Sequence, residues 1–111
     1  MLTVVETPIF QRTWPHYWSE EERAEFCTYI AQHPEAGDVV AQSGGVRKIR
    51  WTRAHSGKSG GVRVIYFTRT EAGEVVLLLM YAKSHLDTLK ASTLKELRNA
   101  VEKSRYTHDR R

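Results

Sequence analysis

From Val46 to Lys83 the chain alternates apolar and polar residues with the two-residue period of β-strands. Three strands follow from this pattern: about Val46–Arg53, Val62–Thr70 and Val75–Lys83. The loop Ala54–Gly61 joins the first two, and the tight Glu71-Ala72-Gly73-Glu74 turn joins the last two. Upstream, Leu2–Glu6 is a short apolar-rich strand closed by Thr7-Pro8. Residues 9–18 contain Ile9, Phe10, Trp14, Tyr17 and Trp18, which suits one or two helical turns packed on a core. Ser19-Glu20-Glu21-Glu22 spells a capping box and places carboxylates at a helix start, where the macrodipole favours them. That helix should run to about Gln32 with Phe26, Cys27 and Ile30 inward, until His33-Pro34 stops it. A closing helix from about Ser92 to Arg105 buries Leu94, Leu97 and Val101, one face at helical spacing. The expected order is β-α-α-β-β-β-α: an α+β domain over residues 1–105 with an antiparallel meander, and a frayed basic tail at 106–111.

A chain of 111 residues supports one core and no comfortable second one. Its apolar runs are strand-sized, and Met1–Glu6 lacks the basic start and long apolar stretch of a signal peptide. The single cysteine, Cys27, cannot form an internal disulfide and leaves no cysteine cluster for zinc. On an amphipathic helix between Phe26 and Ile30, it reads as a buried structural thiol. These features describe a small cytoplasmic domain that does not enter a membrane.

Charge changes the picture. The formal net charge is only +4, yet residues 1–38 hold two basic and seven acidic side chains, while residues 39–70 hold seven basic and no acidic ones. The seven are Arg47, Lys48, Arg50, Arg53, Lys58, Arg63 and Arg69. A positive patch displayed on a pleated sheet suits a polyanion, with RNA or DNA the first candidate. The plain alternative is a solvated sheet face whose cations discourage edge-to-edge aggregation.

Strand alternation sorts these cations. Lys48 and Arg50 share one face of their strand, and Ile49 and Trp51 share the other with Arg47 and Arg53. Arg63 and Arg69 share a face with Ile65 and Phe67, and Lys83 closes the row of Leu79 and Tyr81. One face can thus collect Lys48, Arg50, Arg63 and Lys83. Several cations around one phosphate stabilise the extra charge of a pentacoordinate transition state. The planar fork of arginine donates bidentately to phosphate oxygens. In RNA the 2′-hydroxyl is an internal nucleophile, so positioning and electrostatics can cleave without a metal cofactor. His85 and Lys83 are the nearest acid–base candidates, with Tyr81 behind them. Arg47, Arg53, His55, Lys58 and Arg69 are expected to contact RNA around this centre. No histidine pair has metal-ligand spacing and the acidic residues lie mostly outside the basic region, which argues against a metal-dependent nuclease. Gly57-Lys58-Ser59-Gly60-Gly61 looks like half a phosphate loop, but it lacks the upstream glycine and leads into a strand instead of a helix.

Gly45-Val46-Arg47-Lys48-Ile49-Arg50-Trp51, Gly57–Tyr66 and Leu79-Met80-Tyr81-Ala82-Lys83 together resemble the RelE/ParE toxin superfamily, and most closely its HigB-like branch. Thr7-Pro8-Ile9-Phe10 and His33–Val40 fit the same branch, so the resemblance spans nearly the whole chain to about Val101. It implies a microbial-ribonuclease-like fold and an mRNA endonuclease acting in the ribosomal A site on the 30S subunit, against ribosomal RNA. It also implies a cognate antitoxin, in this branch usually a helix-turn-helix, HigA-like protein. By position, Lys48 and Arg50 match the family's basic pair, Arg63 its phosphate-stabilising arginine, and Lys83 the basic residue ending the last strand. Relatives often carry a further basic residue where Ser59 stands and a Ser/Asn-Glu pair where Ser84-His85 stand. Some use a tyrosine or histidine after the last strand; no tyrosine follows Tyr81 here until Tyr106, which leaves His85 as the substitute. A ParE-like gyrase poison and an RNA- or ribosome-binding domain without chemistry are the competing functions.

Overall fold

A five-stranded sheet in the order β1-β5-β4-β3-β2 organises the molecule. In this computed structural model, residues 1–52, 61–82 and 89–109 are described, with side chains as far as residue 103. The strands are β1 (Thr3–Glu6), β2 (Asp38–Val39), β3 (Arg47–Trp51), β4 (Val62–Arg69) and β5 (Glu74–Ala82). β2, β3, β4 and β5 pair antiparallel, as the meander predicts, whereas β1 returns to lie parallel beside β5. The two-residue β2 was not expected from the sequence; it is too short to show an alternation. Among the described residues three α-helices flank the sheet: α1 (Pro8–Thr13), continued by a 3₁₀ turn at Trp14–His16, α2 (Glu20–Gln32) and α3 (Ala91–Asp109).

The helix starts follow from capping chemistry. Ser19 Oγ accepts from the Glu22 N–H while Glu22 Oε1 accepts from the Ser19 N–H at 2.7 Å, so the predicted capping box forms. Thr7 caps α1 through the Phe10 N–H, and its own hydroxyl donates to Leu78 O at 2.8 Å, tying the helix start to β5. α3 continues to Asp109, beyond the expected end at Arg105. Lys103–His108 contains neither glycine nor proline to stop it.

Each face of the sheet has its own core. Phe10, Phe26 and Ile30 from the N-terminal helices, with Trp18 from the connection between them, pack on Val62, Val64, Tyr66, Val75, Leu77 and Met80, with Ile49 and Trp51 partly buried at the margin. On the other face, Leu94 of α3, with Leu97 and Val101 beside it, packs on Val46, Ile65, Phe67, Val76, Leu78 and Tyr81. The β4–β5 register skips Leu78: Ile65 pairs with Leu79 and Tyr66 with Leu77. This bulge turns both Leu78 and Leu79 toward the α3 side and restores alternation on either side of it.

Candidate functional site

β3, β4 and β5 carry the candidate site in two cross-strand rows. Arg50 pairs with Arg63, and Arg63 with Tyr81; one step along, Lys48 pairs with Ile65, and Ile65 with Leu79. Directly paired residues share a face, so Lys48, Arg50, Arg63 and Tyr81 lie together. Ile49, Trp51, Val62, Val64 and Met80 point to the N-terminal helices, which puts these four on the α3 side, with Tyr81 in the core under that helix. Arg50 is exposed, Lys48 and Arg63 are half-buried, and Tyr81 is only 6% exposed. Two arginines placed directly opposite cost stability in a sheet, so their pairing points to a function that needs concentrated positive charge.

Arg47 does not join this face. Its strand parity sends it to the opposite one, where Nη1 donates to Gly37 O at 2.7 Å and Glu35 O at 3.4 Å. It works with Tyr66, whose hydroxyl accepts from the Gly37 N–H and donates to Pro34 O at 2.9 Å. Burial pushes the Tyr66 phenol up from its ordinary value, and the hydrogen bond from Gly37 and the Arg47 charge pull the other way. Arg47 therefore fixes the chain entering β2.

Arg69 shares the face of Arg63, as alternation predicts, but lies six residues along β4, about 20 Å away. Its Nη1 donates to Glu74 Oε1 at 2.8 Å. Its Nε lies 2.8 Å from Glu102 Oε1, an ion pair without hydrogen-bond alignment. The guanidinium also stacks on Phe67, as does that of Arg98, with centroid distances of 5.6 and 5.0 Å. The carboxylates that occupy Arg69 come from Glu74, just across the β4–β5 turn, and from Glu102 of a distant helix. Arg53, His55, Lys58, Lys83 and His85 lie outside the described residues.

Tyr81, which the sequence placed behind His85 and Lys83 among the acid–base candidates, stands in this row. Alternation set it in line with Leu79, but its place beside Arg63 depends on the register between β4 and β5. Burial raises its phenol above the ordinary value and the Arg63 charge opposes the shift, so it stays protonated near neutral pH. Cys27 sits near Glu6, with its thiol pushed up to about 11, first by burial and then by the Glu6 carboxylate. That makes it a poor nucleophile. Among the described residues no group of three or more His, Cys, Asp and Glu side chains could hold a metal ion, and no helix is long and apolar enough to cross a membrane.

The model of the family described as the RelE toxin of the RelE/RelB toxin–antitoxin system matches residues 7–110. The chain belongs to the RelE toxin family. It is thus a toxin of a type II toxin–antitoxin system, within the RelE/ParE superfamily. Among solved structures, the isolated E. coli RelE toxin aligns over 91% of this chain and 99% of its own, at 14% identity and a TM-score of 0.57. A free double mutant of E. coli RelE aligns over 86% and 90%, at 16% identity and the same score. RelE in the intact E. coli RelBE toxin–antitoxin complex aligns over 74% and 96%, again at 16% and 0.57. At these identities the likeness is one of fold.

Proposed function

We propose that this RelE-family toxin is a ribosome-dependent mRNA endonuclease of the HigB-like kind, cleaving in the A site without a metal cofactor. The observation that carries the reading is the convergence of Lys48, Arg50 and Arg63 on one open sheet face. There the 2′-oxygen attacks the adjacent phosphorus and the P–O5′ bond breaks, leaving a 2′,3′-cyclic phosphate and a 5′-hydroxyl. Arg63 and Arg50 stabilise the phosphorane charge, and Lys48 helps activate the 2′-hydroxyl. Protonation of the leaving 5′-oxygen by His85 or Lys83 rests on the sequence.

The partner that silences the toxin is a cognate antitoxin, by resemblance a helix-turn-helix, HigA-like protein. The solved RelBE complex supports a cognate antitoxin as partner; its HigA-like character rests on the resemblance. Primer extension on a defined mRNA, with and without programmed ribosomes, tests the reading beside Arg63→Ala. Ribosome-dependent cuts within the A-site codon, lost in the mutant, are expected. Intact mRNA in every lane from folded, toxic protein would move the target to gyrase or another non-nuclease process.

A further inference from the structure

Tyr81 occupies the third place in the row Arg50–Arg63–Tyr81, directly across from Arg63 on the catalytic face. Its ring is packed with Ile65, Leu78 and Leu94 in the α3-side core, which fixes its position as firmly as any core residue. Its hydroxyl is not among the fully buried unpartnered atoms, and no described residue hydrogen-bonds to it. Phenylalanine would supply the same packing, as Phe67 does two rows along the same face. A rigid, protonated hydroxyl beside an arginine on an open basic surface has the arrangement of an oxyanion donor.

We infer that the Tyr81 hydroxyl donates a hydrogen bond to a non-bridging oxygen of the scissile phosphate, beside Arg63, and is a catalytic residue of the cleavage reaction. This rests on the endonuclease reading above. The role is that of a fixed donor: the phenol keeps its proton through the reaction, and no bond to it forms or breaks. Burial, which holds the phenol protonated, suits a donor and disfavours a general base. Its strength comes from preorganisation, since the ring packs into the core and needs no reorientation when the phosphorane charge develops.

Single-turnover cleavage on programmed ribosomes tests the assignment with mRNA carrying either a normal phosphate or one of the two stereodefined phosphorothioates at the scissile position. Tyr81→Phe should lower the cleavage rate at saturating toxin about a hundredfold, the scale of one lost oxyanion donor. The toxin concentration giving half-maximal cleavage should not change. The wild-type penalty for sulfur at one of the two oxygens should shrink in Tyr81→Phe, because sulfur accepts hydrogen bonds weakly and the donor is already gone. A purely structural tyrosine would leave both sulfur penalties untouched. Wild-type cleavage with a fully active Tyr81→Phe, or with undiminished sulfur penalties, overturns the Tyr81 assignment alone. A wild-type protein that leaves the mRNA intact overturns the endonuclease reading and this assignment together.

Discussion

Arg50 and Arg63 face each other directly across β3 and β4, on the side of the sheet that carries α3. Like charges in such a pair repel at the short spacing of cross-strand neighbours, and a fold selected for stability alone would place threonine or an apolar residue there. Their paired charge is useful where a phosphate must be held. Arg50→Thr should therefore leave the protein as stable or more so, by roughly 0.5 kcal/mol, while slowing cleavage by at least about tenfold. Urea unfolding and the ribosome cleavage assay, run on one preparation, would show whether the two effects part company. A loss of both together would make Arg50 structural.

Arg69 predicts the reverse pattern. Arg69 ties Glu74 of β5 to Glu102 of α3 through a guanidinium only 11% exposed, and with it gone Glu102 keeps Arg98 but the link between α3 and the sheet is loosened. Arg69→Met should cost about 2 kcal/mol, between the values for surface and buried pairs. For a domain of this size that lowers Tm by roughly 10 °C. The salt dependence of RNA binding should not change, since Arg69 would contact no phosphate. A shallower salt slope with unchanged Tm would restore it to the RNA surface.

Gly37 and Tyr66 should prove coupled. A Cβ at Gly37 would stand 2.8 Å from the Tyr66 hydroxyl and 3.0 Å from Lys48 O, so Gly37→Ala must displace the ring or the strand. Tyr66→Phe leaves the Gly37 N–H and Pro34 C=O without their partner, a loss of about 1–3 kcal/mol. The double mutant should lose less than the sum of the singles. Additive losses in denaturant unfolding would show that the clash is relieved elsewhere.

Alkaline pH should destabilise the fold. Cys27 titrates near 11 when folded and near 9.0 when exposed, so the neutral thiol is favoured by folding. Its contribution is fully present below about pH 9 and is lost as pH rises towards 11. Tyr66 and Tyr81, both raised by burial above 10.0, add losses of the same sign at higher pH. Cys27→Ala should flatten the unfolding free energy between pH 9 and 10, and iodoacetamide should alkylate native Cys27 about a hundredfold more slowly at pH 8 than a free thiol. Alkylation at the free-thiol rate would show that the site opens readily.

Local patterns were enough to determine the strands that carry the site, the capped start of α2 and the grouping of Lys48 with Arg50 away from Ile49 and Trp51. Each depends on residues within one turn or a few strand positions, where period and capping chemistry act directly. The family, too, was legible in short blocks such as Gly45–Trp51. Tertiary structure decided which of the basic residues stand together. It set Arg63 between Arg50 and Tyr81 through register, brought β1 parallel against β5, and used a bulge at Leu78 to keep both faces packed. It also assigned Arg47 to the Gly37 carbonyl and Arg69 to Glu74 and Glu102. A guanidinium looks the same in a sequence whether it meets a phosphate or a carboxylate, and only the chain's return from a distance supplies the partner that distinguishes them.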